Sequence, residues 1–380
     1  MTLQHGLEPT AVDPRRVNLD RDPVVVFWEI TLACALACRH CRALAQPKRS
    51  TLELSSPGCY RVLKELTSFD HPPILVLSGG DPFMRRDLFD LVERGMELGL
   101  PMSVAPAATA LATRQRFQRL ANLGVSRISL SLDGSGAAVH DRFRGVEGSF
   151  GLTMKAMANA RDAGLAFQVN TTVTRQTVED LPAIAEVVAS SRAVLWDLFF
   201  LVPTGRAAAE DAISLEEHER VFGWICDLSE RVPFTVKTTL GQHYRRVQVL
   251  RRLAAEGQGL DGLAPHRVRE LYRGIPSNDG KGILFISHRG DVCPSGFLPI
   301  SAGNVRSDSV VDLYRDSALF RSLRNPAALK GKCGRCPFNV ICGGCRARAY
   351  ATTGDPLAPE PYCIFQPGEE EHQPGPTLRP

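Results

Sequence analysis

Residues 24–43 read VVVFWEITLACALACRHCRA, a β-branched and aromatic run that is followed at once by three cysteines. The first part, residues 24–30, is typical of a buried strand. Cys34, Cys38 and Cys41 have the spacing C-x3-C-x2-C, one cysteine short of the four ligands that a closed zinc or iron–sulfur site requires. The sequence leaves two alternatives: a fourth ligand elsewhere in the chain, or a metal position that is kept open.

Short hydrophobic runs alternate with amphipathic segments along most of the chain. Near-continuous hydrophobic strands joined by helices indicate a parallel sheet that is covered on both faces. Six such units predict an α/β fold with a partial (β/α)6 TIM-like barrel, and an open doubly wound sheet is the alternative. The predicted strands are 24–30, 74–80, 102–107, 127–134, 167–173 and 195–203, and the predicted helices are 56–68, 86–98, 114–123, 150–163, 180–190 and 215–231.

Residues with chemical character follow the predicted strands. The three cysteines come after the first strand, Gly79-Gly80-Asp81-Pro82 ends the second, and Asp133 ends the fourth. Barrel enzymes assemble their active sites where the strands end. We therefore expect these residues to meet at the end of the barrel that the carboxyl ends of the strands form.

Size and charge exclude several classes of function. The 380 residues carry a net charge of +4, and no apolar stretch approaches the roughly 20 residues of a membrane span. Neither a nucleic acid nor a membrane is therefore expected as a partner. The first residues lack the pattern of an export signal, so we expect a cytoplasmic location, where cysteines stay reduced and clustered thiols indicate metal sites.

The sequence pattern predicts five segments. They are a flexible tail at 1–22, a core barrel at 23–232, a bridging segment at 233–281, a small cysteine-rich iron–sulfur domain at 282–365 and a disordered tail at 366–380. Residues 282–296 read as two short strands joined by a tight turn. A module of this size needs a stabilising cross-link, which a metal cluster would supply.

A second group of cysteines lies near the C-terminal end. Four of them have the spacing C-x2-C-x5-C-x20-C and provide enough thiolates to close a 4Fe–4S cube: Cys333, Cys336, Cys342 and Cys363. Zinc is the alternative, because paired cysteines also form zinc ribbons. Cys293 and Cys345 are expected to lie outside this site, and Cys59 and Cys226 are expected to be buried apolar residues.

The first cysteine motif, followed by Gly-Gly-Asp-Pro after the second strand, resembles the radical S-adenosylmethionine (SAM) superfamily over roughly residues 24–366. The resemblance implies an enzyme in which three cysteines hold a 4Fe–4S cluster whose open iron binds the methionine part of SAM. Reduction of the cluster, with a flavodoxin or ferredoxin as electron donor, would cleave SAM to a 5′-deoxyadenosyl radical that abstracts hydrogen from a substrate.

The same resemblance implies which residues contact SAM. His40 would lie against the adenine, the Gly79–Asp81 backbone and the Asp81 side chain would receive the amino group, and Arg144 would bind the carboxylate. The polar residues that end the fourth strand would face the ribose or the methionine. The full set is His40, Gly79, Gly80, Asp81, Pro82, Ser131, Asp133, Arg144 and Asn170. The sequence identifies no acid–base residue, so the catalytic residues are unknown.

The C-terminal cysteines resemble the SPASM and twitch auxiliary-cluster domains. Their spacing is most similar to that of the heme-biosynthesis branch, which includes siroheme-dependent heme synthases. Asp308 stands where a second auxiliary cluster would need a cysteine, so one auxiliary 4Fe–4S cluster is expected. This branch implies a tetrapyrrole substrate whose side chain is decarboxylated or removed.

Residues 236–253 form a basic segment with two interpretations. It would suit the carboxylates of a tetrapyrrole, with His243 near a porphyrin iron, or it is a solvated helix face. Its relevant residues are Lys237, His243, Tyr244, Arg245, Arg246, Arg251 and Arg252. Two other functions stay open: a maturase of a ribosomally made peptide, and a non-catalytic iron–sulfur electron carrier.

Overall fold

A computed structural model describes residues 17–260 and 262–368, so most of each predicted tail, 1–22 and 366–380, lies outside the described residues. Its strands are β1 (Val25–Thr31), β2 (Ile74–Gly79), β3 (Met102–Val104), β4 (Arg127–Ser131), β5 (Phe167–Val173), β6 (Leu195–Phe200), β7 (Thr235–Thr239), β8 (Asn278–Asp279), β9 (Gly282–Ile286), β10 (Asp291–Cys293) and β11 (Gly303–Asn304).

Helices follow most of the parallel strands. They are α1 (Ser56–Leu66), α2 (Leu88–Glu97), α3 (Arg114–Asn122), α4 (Ala137–Arg144), α5 (Ser149–Asp162), α6 (Leu181–Ser191), α7 (Leu215–Ser229), α8 (Tyr244–Ala255), α9 (Pro265–Leu271), α10 (Val310–Asp316), α11 (Ala318–Arg324), α12 (Gly331–Arg335) and α13 (Arg346–Thr353). Among the described helices, none has the length and hydrophobicity needed to cross a bilayer.

The strand order distinguishes between the two predicted sheet types. Strands β1 to β7 are neighbours in chain order and pair in parallel throughout. A doubly wound sheet would reverse this order at a switch point. Consecutive right-handed crossovers instead place all the helices on one side, so that the sheet curls around its other face. The prediction of a partial TIM-like barrel is confirmed.

The two faces of the sheet differ in chemistry because neighbouring strand residues point in opposite directions. Trp28 and Leu77 are fully buried in the hydrophobic core between the sheet and the helices. Their neighbours Glu29 and Ser78, and Asp197 in β6, lie on the opposite face, which is the inside of the barrel. Polar side chains therefore line the inside of the barrel, where functional groups can lie.

The sheet extends beyond the six predicted strands. β7 pairs with β6 at one edge, and β9 pairs in parallel with β1, with Val25 opposite Ile283. Residues 282–286, which the sequence pattern assigns to the C-terminal domain, thus belong to the barrel sheet. The sequence TVKTT of β7 lacks a hydrophobic run, and the pairing of β9 with β1 joins segments too distant for a local pattern to reveal.

A buried ion pair joins the cysteine-rich segment to the barrel. Arg348 in α13 and Glu360 are both fully buried, with Nη1 and Oε2 3.1 Å apart. Arg348 also donates hydrogen bonds to the carbonyl oxygens of Phe200, Leu201 and Leu240, which lie where β6 and β7 end. These bonds fix α13 against the end of the barrel at which active sites lie.

Arg348→Met is expected to lower the free energy of unfolding by about 3–5 kcal/mol, because it leaves the Glu360 carboxylate buried without its partner. Arg94→Met is the control. The Arg94 and Glu97 side chains are 49% and 57% exposed, so the loss of their ion pair should cost less than about 1 kcal/mol. Urea unfolding of both variants measures the two values, and equally small effects would contradict the anchoring role.

Candidate active site and auxiliary metal site

The three cysteines of the first motif lie in one loop directly after β1. Cys34 and Cys38 are buried, and Cys41 is half-buried. The loop returns to its start, where the Cys34 N–H donates to the carbonyl oxygen of Gln46 at 2.8 Å. Burial raises the pKa of the Cys34 thiol to about 11, so metal binding must displace its proton.

Gly79 and Gly80 pack directly against the start of the cysteine loop. The Gly80 N–H donates to the Thr31 carbonyl at 2.8 Å, and the Asp81 N–H donates to the Ala33 carbonyl at 2.6 Å. A Cβ atom on Gly79 would lie 2.2 Å from the Thr31 oxygen, and one on Gly80 would lie 2.4 Å from the Ala33 oxygen. Only glycine fits at these positions, and the close approach is to the loop itself.

The Asp81 side chain is fully buried and already engaged. Its Oδ1 accepts from the Phe83 N–H at 3.1 Å, and its Oδ2 accepts from the Thr109 hydroxyl at 2.9 Å. Burial raises the pKa of this carboxyl group. Pro82 follows at the start of a short 3-10 turn. These contacts order the turn after β2, and the contact of the Gly79–Asp81 segment with the amino group of SAM stays a prediction.

A chain of contacts joins the end of β4 to the cysteine loop through Asp133, Arg144 and Cys38. Arg144 donates from Nη1 to Asp133 Oδ2 at 3.1 Å and from Nη2 to the Cys38 sulfur at 3.4 Å. The Thr172 N–H donates to Asp133 Oδ1 at 2.7 Å. Burial alone would raise the pKa of Asp133, but Arg144 and His40 hold it below its ordinary value. Arg144 therefore acts on the loop through Cys38.

His40 lies in the same cluster. Its ring stacks on Phe143, with centroids 4.3 Å apart, and its Nε2 is 3.9 Å from Asp133 Oδ2. Its Nδ1 has no hydrogen-bond partner among residues 17–260 and 262–368. Burial lowers the pKa of the imidazole to about 4, so the ring is neutral near pH 7. A neutral, partly stacked ring next to the loop is compatible with the predicted contact to adenine.

Ser131, the last residue of β4, lies beside Asn170 in the middle of β5, and the two are paired in register. Both are half-buried. The Asn170 Oδ1 accepts from Gln168 Nε2 at 2.8 Å. The structure thus brings the predicted polar residues to one end of the barrel, near Asp133.

Arg206, in the loop after β6, contacts the cysteine loop and was missed by sequence analysis. Its Nε donates to the carbonyl oxygen of Cys38 at 2.9 Å, and its Nη1 donates to that of Ala45 at 3.2 Å. Its backbone N–H donates to the Cys41 carbonyl at 3.1 Å. No motif marks this residue, because its three acceptors are backbone oxygens more than 150 residues away in the chain.

Arg42 connects the cysteine loop to the barrel interior and was also missed. Its Nη2 donates to Glu29 Oε2 at 3.0 Å, and His288 Nδ1 lies 2.8 Å from Glu29 Oε1. The guanidinium also lies over the Phe285 ring, 4.8 Å from its centroid. This group links the loop, β1 and the hairpin of β9 and β10 around one buried carboxylate.

The second group of cysteines surrounds a cavity near the C-terminal end of the described chain. Cys333, Cys336, Cys342 and Cys363 all line it. Within the described residues, no group of three or more His, Cys, Asp or Glu side chains is placed to hold a metal ion directly. A 4Fe–4S cube holds its cysteines farther apart than a single ion does, and a cavity with four thiols on its wall fits such a cube.

Backbone N–H groups already point at these sulfurs. The Glu360 N–H donates to Cys333 Sγ and the Gly344 N–H donates to Cys342 Sγ, each at 3.3 Å. Gly343 and Gly344 have φ values of +67° and +69°, a conformation that glycine adopts without strain. Hydrogen bonds of this kind are what cluster sulfurs accept, so the donor set fits an iron–sulfur group.

The basic segment is only partly exposed, with the Lys237 and Arg251 side chains 47% and 38% exposed. Its cations are bound within the protein: Lys237 to Asp197, Arg245 to the carbonyls of Ser277 and Ile341, Arg246 to Glu219, Arg251 to Asp227, and Arg252 to the carbonyl of Leu271. His243 is fully buried and lines the four-cysteine cavity. Charge spacing alone could not reveal these partners, because they come from distant segments.

The remaining cysteines are buried elsewhere. Cys293 pairs with Phe285 in the sheet, and Cys345 precedes α13, where its sulfur accepts from the Arg348 N–H at 3.4 Å. Neither lines the four-cysteine cavity. Cys59 and Cys226 belong to the hydrophobic core.

The chain resembles known proteins over almost its whole length. Residues 28–188 match the family model of the radical SAM superfamily. The chain is 37% identical to the AdoMet-dependent heme synthase of Methanosarcina barkeri, over 93% of this chain and 100% of the relative. The chain belongs to the radical SAM superfamily. A protein of the same name from Nitratidesulfovibrio vulgaris is 39% identical, over 95% of this chain and 98% of the relative.

The fold of this radical SAM enzyme is also found in a solved structure. Streptococcus suis SuiB bound to S-adenosylmethionine superposes with a TM-score of 0.69 at 17% identity, over 91% of this chain and 78% of SuiB. Membership of the superfamily means that the enzyme binds a 4Fe–4S cluster and SAM. The alternative of a non-catalytic electron carrier is therefore wrong.

The first cysteine loop fits a cluster with one open iron. Within the described residues, no further cysteine packs against Cys34, Cys38 and Cys41. The sulfur of Cys34 accepts from the Leu36 N–H at 3.3 Å, and that of Cys38 accepts from Arg144. Three cysteines, two of which have N–H donors to their sulfurs, and no fourth cysteine among the described residues fit a cluster that keeps one coordination position open.

The triple variant Cys34→Ala, Cys38→Ala, Cys41→Ala is expected to reduce the iron content of the reconstituted protein from roughly eight to roughly four per chain, because one of two cubes is lost. It should also lose all formation of 5′-deoxyadenosine with dithionite. Cys226→Ala is the control, because this buried cysteine contacts Tyr244 and lies away from both sites. Continued cleavage of SAM by the triple variant would show that another site holds the reactive cluster.

Gly80→Ala is expected to lower the occupancy of the first cluster, because its Cβ would lie 2.4 Å from a backbone oxygen of the cysteine loop. Overpacking of this kind costs about 1–3 kcal/mol. Gly136→Ala is the matched control, because a Cβ there meets no atom of the described residues within 4 Å. Iron analysis and the yield of 5′-deoxyadenosine measure the effect, and full occupancy in Gly80→Ala would contradict it.

Proposed function

We propose that this protein is a heme-synthase-like radical SAM enzyme that oxidatively decarboxylates a propionate side chain of an iron coproporphyrin or a related tetrapyrrole. The observation that carries the proposal is the end-to-end match to two relatives named AdoMet-dependent heme synthase. These relatives match over nearly their full lengths, so no large part of them is missing from this chain.

We propose that the core, residues 23–232, binds the first cluster through Cys34, Cys38 and Cys41. When bound, this cluster supplies the electron that cleaves SAM and begins radical chemistry. The protein contributes position: Gly79 and Gly80 hold the loop at the end of β1, and the proposed SAM contacts lie around it. Three observations support these proposed contacts: His40 Nε2 lies 3.9 Å from Asp133, Ser131 pairs in register with Asn170, and Arg144 donates to the Cys38 sulfur.

We propose that Cys333, Cys336, Cys342 and Cys363 bind one auxiliary 4Fe–4S cluster. The four-cysteine cavity and the N–H groups that point at two of its sulfurs support this assignment. Because Arg348 fixes α13 to the ends of β6 and β7, the auxiliary site is held at the same end of the barrel as the first loop. This placement supports the proposal that the auxiliary cluster accepts the electron that remains on a substrate after hydrogen abstraction.

We also propose that a flavodoxin or ferredoxin reduces the first cluster and that the enzyme works in the cytoplasm. Arg39 and Lys48 are exposed on the cysteine loop and would suit an acidic electron carrier. A reduced flavodoxin or ferredoxin should replace dithionite in the assay of SAM cleavage, and failure of both would remove support for this donor class.

Cell fractionation checks the proposed cytoplasmic location of the enzyme.

Iron coproporphyrin is expected to bind the reconstituted enzyme with a shift of its Soret band, and to yield a product that has lost carbon dioxide when SAM and dithionite are added without oxygen. Absorption spectra and mass spectrometry of the porphyrin measure the two steps. The Cys34→Ala, Cys38→Ala, Cys41→Ala variant is the control and should give no product. The absence of both the shift and the product would favour the maturase of a ribosomally made peptide instead.

A further inference from the structure

His243 occupies an unusual position for a histidine. It lies directly before α8, is fully buried, and has no hydrogen-bond partner for either ring nitrogen among the described residues. Its ring is held between His218, at a centroid distance of 5.2 Å, and Phe222, at 4.6 Å. Buried polar groups are nearly always hydrogen-bonded, so an imidazole that is fixed in place without a partner requires an explanation.

The explanation lies in the cavity that His243 faces. His243 lines the same cavity as Cys333, Cys336, Cys342 and Cys363. A neutral imidazole carries one N–H donor and one acceptor nitrogen. The histidine therefore offers an N–H group to whatever the four thiols hold.

Arg246 provides a second, independent observation. It lies one helical turn after His243 and lines the same cavity. Its Nη2 binds Glu219, but its Nε is buried and has no partner within residues 17–260 and 262–368. Two unmatched N–H donors, one directly before α8 and one in its first turn, thus border the cavity that the four cysteines line.

We propose that His243 donates a hydrogen bond to a sulfur atom of the auxiliary cluster and thereby raises its reduction potential, with Arg246 Nε as a second donor. The inference rests on the proposed binding of an auxiliary cluster by the four cysteines. A hydrogen bond to sulfur stabilises the reduced cluster more than the oxidised one, because reduction adds negative charge to the sulfurs. A raised potential would make this cluster the better acceptor of an electron from the substrate.

The test measures the midpoint potential of the auxiliary cluster alone. In the Cys34→Ala, Cys38→Ala, Cys41→Ala background, redox titration followed by EPR reports this cluster without the first one. His243→Phe, which keeps a ring but removes the donor, should shift the midpoint to a more negative potential. His243→Gln, which restores an N–H group, should recover part of the shift.

His218→Phe is the matched control. His218 is also buried and packs against His243, but its Nδ1 donates to the Ser214 carbonyl at 2.7 Å, and it does not line the cavity. This variant should keep the midpoint of the parent protein. An equal shift in His218→Phe and His243→Phe would overturn the proposal, because it would reflect packing and not a hydrogen bond.

Iron content separates failure of this inference from failure of the proposed function. If the background protein holds no iron, the auxiliary cluster itself is absent. If it holds about four irons and His243→Phe keeps the same midpoint, the hydrogen bond is absent. If the His243→Phe variant does not hold the auxiliary cluster, pulsed EPR of the triple-cysteine variant with His243 intact tests the hydrogen bond instead. An exchangeable proton coupled to the cluster supports the donor, whereas the strong nitrogen coupling of an iron-bound imidazole overturns it.

Discussion

The active end of this enzyme depends on a contact between two pieces of backbone. Where β1 and β2 end side by side, Gly79 and Gly80 approach Thr31 and Ala33 so closely that neither position admits a Cβ atom. The contact fixes the starting direction of the cysteine loop, and hence where its three sulfurs lie. Arg206 then secures the far side of the loop through backbone oxygens.

The auxiliary site is held to the barrel in a similar way, by donors that bind backbone oxygens at strand ends. Arg348 binds three such oxygens and the buried carboxylate of Glu360, whose own N–H points at a cluster cysteine. The ion pair of Arg348 and Glu360 thus connects the barrel, helix α13 and the four-cysteine cavity. Buried cations around the cavity, Arg246 and Arg346 among them, offset the negative charge that four thiolates would bring.

Sequence patterns identified the elements with strong periodicity and missed those without it. The six hydrophobic strands and their helices lie within a few residues of their predicted positions. β7 was missed because its sequence is polar. β9 was assigned to the C-terminal domain instead of the barrel sheet, because its partner, β1, lies more than 250 residues away. The basic segment misled for a related reason: its charges are visible in the sequence, but the carboxylates and carbonyls that they bind come from distant segments.

The sequence by itself determined the class of fold and the superfamily, and it singled out the two groups of cysteines that we propose as cluster ligands, because these depend on local periodicity and on short, fixed spacings. Tertiary structure alone decided that Asp81 turns to Thr109, that Arg144 supports Cys38, and that His243 faces the four-cysteine cavity. Each of these contacts joins parts of the chain that only the curled sheet brings together, and no local pattern encodes which partner a buried polar group will find.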